Sequence, residues 1–324
     1  MSFVVGTRLL DLTMLMMVMF RMDGSEMHDN ACAYIGETES YVRPIVCRTY
    51  ASSWQMFDRH LYPGGCWRLH MLRQTIGNDV FWAAVRAYVQ QHAFKDPVET
   101  HDFKKALEKA SGKNLTRFFD EWIYGKGYPK LKGTYQMDAA TGWITVGLEQ
   151  TQVESEPGKS AAWGAPDTNG LFHIAIDVEI TTDAGQVHAS TVTFEKHARA
   201  QTQLQLPPQA KPVRIRIDPH GKVLHTLDWS FLEQAMLVQI AQKGEDIGSR
   251  IAAYTALADK GTWDACQKIK ESIQHEPFWG VRIKGNKTSP LFFYFIFFFG
   301  DALASASAFD GHPRTKRRPG TVLT

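Results

Sequence analysis

Between residues 62 and 122 the apolar positions recur with the 3.6-residue period of a helix, and beyond residue 129 they change to the two-residue alternation of a strand. Four helices are predicted in the first stretch. The first begins near Pro63, keeps Cys66, Leu69, Leu72 and Ile76 on or near one face, and stops at Gly77. The second starts after Asn78 or Asp79 and places Phe81, Ala84, Val85 and Tyr88 at i, i+3, i+4 and i+7. The third, capped by Thr100, repeats that spacing with Phe103, Ala106, Leu107 and Ala110. The fourth, capped by Asn114, does so with Leu115, Phe118, Phe119 and Trp122. Such amphipathic helices at short spacing pack into one helical unit.

Gly125-Lys126-Gly127-Tyr128-Pro129 breaks the helical period. Alternation then appears in Trp143–Leu148, Phe172–Ile180, Val187–Phe194 and Val213–Ile217, separated by Gly, Asp and Pro loops. This predicts an antiparallel β-sandwich over about residues 130–228. The loop from Glu154 to Gly170, rich in Gly, Pro, Ser and Ala, is its expected mobile part. Helical pattern resumes at Ser230, which has capping-box spacing to Glu233. Further helices fit Ile247–Ala258, with Ile247, Ile251 and Tyr254 in phase, and Thr262–Gln274, with Cys266, Ile269 and Ile273 in phase. They read as the start of an α-solenoid cut short.

Composition narrows the function. Thirty-six basic against 34 acidic side chains leave a formal charge of +2, which gives no broad field for nucleic acid. Cys32, Cys47, Cys66 and Cys266 form no Cys-x-x-Cys pair, so neither a zinc knuckle nor a disulfide framework is expected, and a reducing, cytoplasmic setting is. The Met-rich run Leu9–Phe20 contains Asp11 and is short for a membrane span, and the apolar run Leu291–Phe299 is shorter still. From about residue 284 the sequence changes character and ends in the basic run Arg314–Pro319, read as a solvated tail. The expectation is an extension foreign to the fold, mistranslated or intron-derived.

The candidate chemistry lies in Phe57-Asp58-Arg59-His60-Leu61-Tyr62-Pro63-Gly64-Gly65. A tyrosine on the turn before Pro63, with two glycines allowing close approach and an apolar helix behind it, is placed to present a phenol to a cleft. The same pattern also suits a buried structural tyrosine. Read in order, the chain resembles the C-terminal portion of peptidase family M1, the aminopeptidase N-like zinc peptidases. The resemblance is carried by Tyr41–Val46, by His60–Gly65 with Met71-Leu72-Arg73, and by Leu115–Trp122 leading into Gly127-Tyr128-Pro129. It continues through Ile217-Asp218-Pro219 and Leu224–Asp228 to Phe278–Arg282, and covers about residues 22–283.

The resemblance implies a multidomain α and β chain. Residues 1–40 are a helical remnant, and 41–128 the helical end of a thermolysin-like catalytic domain. Residues 129–228 are the β-sandwich, 229–283 the truncated HEAT/ARM-like solenoid, and 284–324 a disordered tail. It also implies a catalytic role. In the family a Tyr-x-Lys-Gly turn supplies a tyrosine that donates a hydrogen bond to the oxyanion formed when the peptide carbonyl is attacked. Tyr62 falls on that tyrosine, Gly65 on that glycine, and Gly64 stands where the family has lysine, so Gly64 and Gly65 are expected as substrate-cleft backbone.

The family's His-Glu-x-x-His helix, which holds Zn2+ and supplies the general base, is not found, nor is its Gly-x-Met-Glu-Asn segment. His275-Glu276 runs into Pro277, and His60, His70, His92 and His101 lack ligand spacing, so each is expected at the surface or in a satisfied structural role. The expectation is a fragment of a zinc aminopeptidase acting on peptides when completed by its N-terminal half, itself binding no zinc. No nucleic acid or membrane partner is expected, while a protein partner on the exposed helical face is conceivable. The alternative is a non-catalytic scaffold of the same fold, as in a transcription initiation factor subunit.

Overall fold

A computed structural model describes residues 24–93, 97–152 and 170–287. The Leu9–Phe20, Leu291–Phe299 and Arg314–Pro319 runs lie outside the described residues, as does the 154–170 loop apart from Gly170. Helix α1 (Gly24–Thr38) comes first, followed by a 3-10 turn (Ser53–Met56). Helices α2 (Tyr62–Ile76), α3 (Asn78–His92), α4 (Thr100–Ser111) and α5 (Thr116–Trp122) then form where the apolar period places them. Pro63 fits the first turn of α2, where its missing N–H costs nothing, and Gly77, at φ 93°, ends the helix in a conformation that side chains avoid. In α3 the buried residues are Phe81, Ala84, Val85 and Tyr88, the predicted stripe.

Two caps differ from expectation. Glu99, not Thr100, caps α4 and forms a capping box with Asp102, while Ala110 is exposed. Helix α5 starts at Thr116 with Leu115, not Asn114, at its N-cap, although the Thr116 amide still donates to Asn114 Oδ1 at 2.8 Å.

Helix α2 is buried on nearly every side. Cys66, Leu69, Leu72 and Ile76 enter the apolar cluster formed with α3, α4 and α5. Trp67 and Met71, on the other side, join a second cluster made largely by the strands and the C-terminal helices. A helix shared between two cores is buried on both sides, polar residues such as Arg68 and His70 included, and its axis is fixed by both.

Strand β1 (Lys130–Met137) pairs antiparallel with β2 (Trp143–Gln150), and β2 pairs antiparallel with β5 (Arg199–Gln205). Strand β7 (Thr226–Asp228) completes this sheet in the order β5-β2-β1-β7, and it lies parallel to β1. The wholly antiparallel arrangement expected from the sequence is therefore corrected at this edge. The chain leaves β6 in the other sheet and returns beside β1 in the same direction, pairing Lys130 with Thr226. The second sheet, of β3 (Ile174–Thr182), β4 (Val187–Phe194) and β6 (Pro212–Ile217), has the order β4-β3-β6 and is antiparallel throughout. Ile144, Val146 and Leu148 of one sheet and Ile176, Val178 and Ile180 of the other are buried in the same cluster.

Helices α6 (Gln234–Lys243), α7 (Ile247–Asp259), α8 (Trp263–Gln274) and α9 (Trp279–Lys287) follow. The Ser230–Glu233 capping box does not form. Asp228 accepts the Ser230 amide to cap a 3-10 turn (Trp229–Phe231), and Glu233 accepts the Tyr135 hydroxyl at 3.1 Å. Helix α9 runs to Lys287, so the fold continues past the boundary expected at 284. Among the described residues no helix is long and apolar enough to cross a membrane.

Helices α1 and α2 meet where the Tyr34 ring covers Gly64. A Cβ at position 64 would sit 2.8 Å from Tyr34 Cδ2. Tyr34 is 1% exposed and has no room to withdraw. Gly64→Ala should therefore lower stability by about 1–3 kcal/mol in urea unfolding. In a Tyr34→Leu background the same change should cost nothing further; equal costs in both backgrounds would show that Tyr34 is not the obstacle.

Candidate active site

Tyr62 is the first residue of α2 and is half-buried. Its ring lies 6.2 Å from that of Phe57, which in turn lies 5.6 Å from Trp54, both between centroids. Trp54 and Phe57 are exposed, so Tyr62 stands at the inner end of an aromatic file open to solvent. Gly64 and Gly65, expected in the cleft, are both buried. Their amides donate to Arg59 O and Leu61 O, and Gly64 faces Tyr34.

The turn before Tyr62 is held by Asp58. The buried Arg43 guanidinium forks onto its carboxylate, Nε donating to Oδ2 at 2.8 Å and Nη2 to Oδ1 at 2.6 Å. The Tyr41 hydroxyl donates to Oδ2 at 2.6 Å and the Leu61 amide to Oδ1 at 3.0 Å. Burial raises the Asp58 pKa, but interactions with His60, Arg43, Tyr41 and the Leu61 amide outweigh it and hold the carboxyl well below the usual range. The Tyr41 phenol is pushed upward by burial and by its bond to Asp58, and so stays a donor.

His60 corrects an expectation. It is fully buried between the Tyr34 and Tyr41 rings, at 5.5 and 4.7 Å, and neither ring nitrogen has a hydrogen-bond partner. Its Nδ1 lies 3.3 Å from Asp58 Oδ2 without hydrogen-bond geometry. The other histidines singled out from sequence are dispersed. His70 bonds Gly221 O at 2.9 Å, His92 packs on Tyr88 and His101 is exposed. Beside His275, Glu276 is buried against Arg250 at 3.4 Å and accepts the Phe278 amide.

Arg43, Asp58, Tyr34 and Arg68 gained no role from sequence reasoning. Arg43 and Asp58 are 15 positions apart, a separation that carries no periodic mark of contact.

Residues 14–122 match the family model described as the peptidase family M1 domain. Aminopeptidase N of Lactococcus lactis subsp. lactis is 29% identical over 120 residues, 36% of this chain and 14% of that protein. Glutamyl aminopeptidase of Bitis rhinoceros is 39% identical over 77 residues, 24% of this chain and 8% of that protein. Aminopeptidase M1 of Arabidopsis thaliana is 31% identical over 94 residues, 29% and 11% of the two chains. This chain thus spans 8–14% of the length of these relatives. A solved structure, Legionella pneumophila aminopeptidase A in complex with aspartic acid, superposes with a TM-score of 0.57 over 74% of this chain and 27% of its own, at 14% identity, a likeness of fold.

The zinc ion that this family implies does not fit the residues described: among them no group of three or more His, Cys, Asp or Glu side chains is placed to hold a metal ion.

The Asp58 network carries a pH dependence. Its folded pKa is depressed, so its stabilisation is complete above the ordinary carboxylate value of about 3.9 and is lost as pH falls through and below it. The stability difference between the native chain and Asp58→Asn should therefore narrow as pH is lowered from about 6 to about 3. A difference that stays constant over that range would contradict the assigned ionisation.

Proposed function

We propose that this chain is the part of an M1-type zinc aminopeptidase that presents Tyr62 to the scissile carbonyl of a peptide. One observation carries the reading. Tyr62 stands half-exposed at the start of a helix fixed on both sides, within the stretch that matches the M1 domain. A phenol in that place donates its O–H to the oxygen that gains charge as the carbonyl becomes tetrahedral. It does so as the neutral acid, so no shifted pKa is needed. In the ground state that oxygen is only weakly charged, so the bond strengthens on the way to the transition state and raises kcat more than it lowers KM. In this reading Gly64 and Gly65 stay backbone beside the cleft, with Gly64 beneath the Tyr34 ring, and Tyr62 supplies the reacting group.

We further read the two sheets as a β-sandwich, supported by their shared apolar cluster, and α6–α9 as the first members of a HEAT/ARM-like array, supported by each packing on the next. The metal and general base belong, in this reading, to the part of the relatives that precedes the matched segment.

The test joins this chain to the metal-binding half of the Lactococcus relative and compares Tyr62→Phe with the parent on an aminoacyl anilide. Tyr62→Phe should lower kcat by about 10²–10³ with KM nearly unchanged. An unchanged kcat with a lowered melting temperature would make Tyr62 a structural residue.

A further inference from the structure

Helix α2 begins without a cap of the ordinary kind. Its N-cap residue, Leu61, has helical dihedrals and no side chain able to accept a hydrogen bond. The missing acceptor is supplied from outside the helix by Asp58, whose carboxylate takes the Leu61 amide and whose carbonyl takes the Tyr62 amide at 3.2 Å. The two carboxylate oxygens receive four donors: Arg43 Nη2 and the Leu61 amide on Oδ1, Arg43 Nε and the Tyr41 hydroxyl on Oδ2. That matches the number of lone-pair sites a carboxylate offers, so its orientation is fully determined. Arg43 is fixed in turn, with Nη1 donating to Pro44 O and Ile45 O and Nη2 also to Met56 O.

We infer that Asp58 is the positioning residue of Tyr62, the carboxylate through which Arg43 and Tyr41 set the direction in which the phenol leaves α2. The inference rests on the reading of Tyr62 given above. A general stabiliser would act on the whole fold. A positioning residue acts first on the ring at the end of its own turn.

The two roles separate in the chain as it exists. Spectra of protein labelled at Tyr and Phe should give a ring–ring cross-peak for Tyr62 with Phe57, centroids 6.2 Å apart, and for Tyr88 with Phe103, centroids 5.3 Å apart in α3 and α4. In Asp58→Asn, still folded by its cooperative melt, the Tyr62–Phe57 peak should vanish and amide exchange at Tyr62 should quicken at least about tenfold, while the Tyr88–Phe103 peak persists. Arg43→Lys, which keeps the charge but loses the fork, should do the same and serves where Asp58→Asn fails to fold.

In the joined enzyme Asp58→Asn should lower kcat with KM unchanged, and should lower it no further once Tyr62 is Phe. Retention of the Tyr62–Phe57 peak in a folded variant, or loss of both peaks together, overturns the positioning role. A Tyr62→Phe enzyme with unchanged kcat overturns the catalytic reading instead, whatever the spectra show.

Discussion

Arg68 is a guanidinium at the centre of the helical part, 2% exposed, and the arrangement around it depends on how that charge is met. Burying a cation costs several kcal/mol unless its donors are filled. Here they are filled by a phenol and by backbone: Tyr34 Oη at 2.7 Å, Gly127 O at 3.0 Å, Gly64 O at 3.3 Å and Trp122 O at 3.4 Å. The guanidinium also lies 4.3 Å from the centre of the Tyr34 ring. Trp122 ends α5, where the carbonyls lack helical partners and the helix dipole is negative, so a cation and an orphan acceptor satisfy each other. One side chain thereby joins α1, α2, α5 and the loop that leads into β1.

That junction leaves position 64 to glycine. The Tyr34 ring that meets Arg68 also lies against Gly64, where a Cβ would come within 2.8 Å of its Cδ2. The same junction limits how α2 can rotate. Its middle is held by Arg68 and its first turn by Asp58, the two anchors on which the proposed direction of Tyr62 depends. Glu121 extends the bracing to the sheets, its carboxylate bound by the amide and ring of His173.

The parts of this fold legible in the sequence are those where one period dominates. Phe81, Ala84, Val85 and Tyr88 were readable because α3 buries a single stripe, and β4 because Val187–Phe194 alternates between turn residues. Strands β1, β5 and β7 were not. In β5 the inward residues Ala200, Thr202 and Leu204 are only half-buried and alternate with long polar chains, and β7 has three residues. Helix α1 is hard to place because its polar and acidic residues hide Tyr34, which is fully buried. At the proposed site, turn chemistry singled out Tyr62 without deciding between a cleft-facing and a structural tyrosine, and its proposed role came from the family resemblance. Its supports were not visible, since Arg43 meets Asp58 and Tyr34 meets Arg68 through tertiary contact, and an arginine on a helix reads by default as exposed.

The central claim, that this platform aims the Tyr62 phenol at a carbonyl about to become tetrahedral, is tested most directly by a crystal structure of the joined enzyme holding a tetrahedral phosphinic peptide analogue. The account predicts the Tyr62 hydroxyl about 2.6–3.2 Å from a phosphinyl oxygen, with the Asp58–Arg43 fork intact behind it. A phenol turned away from the analogue, with that oxygen held by other groups, would contradict it.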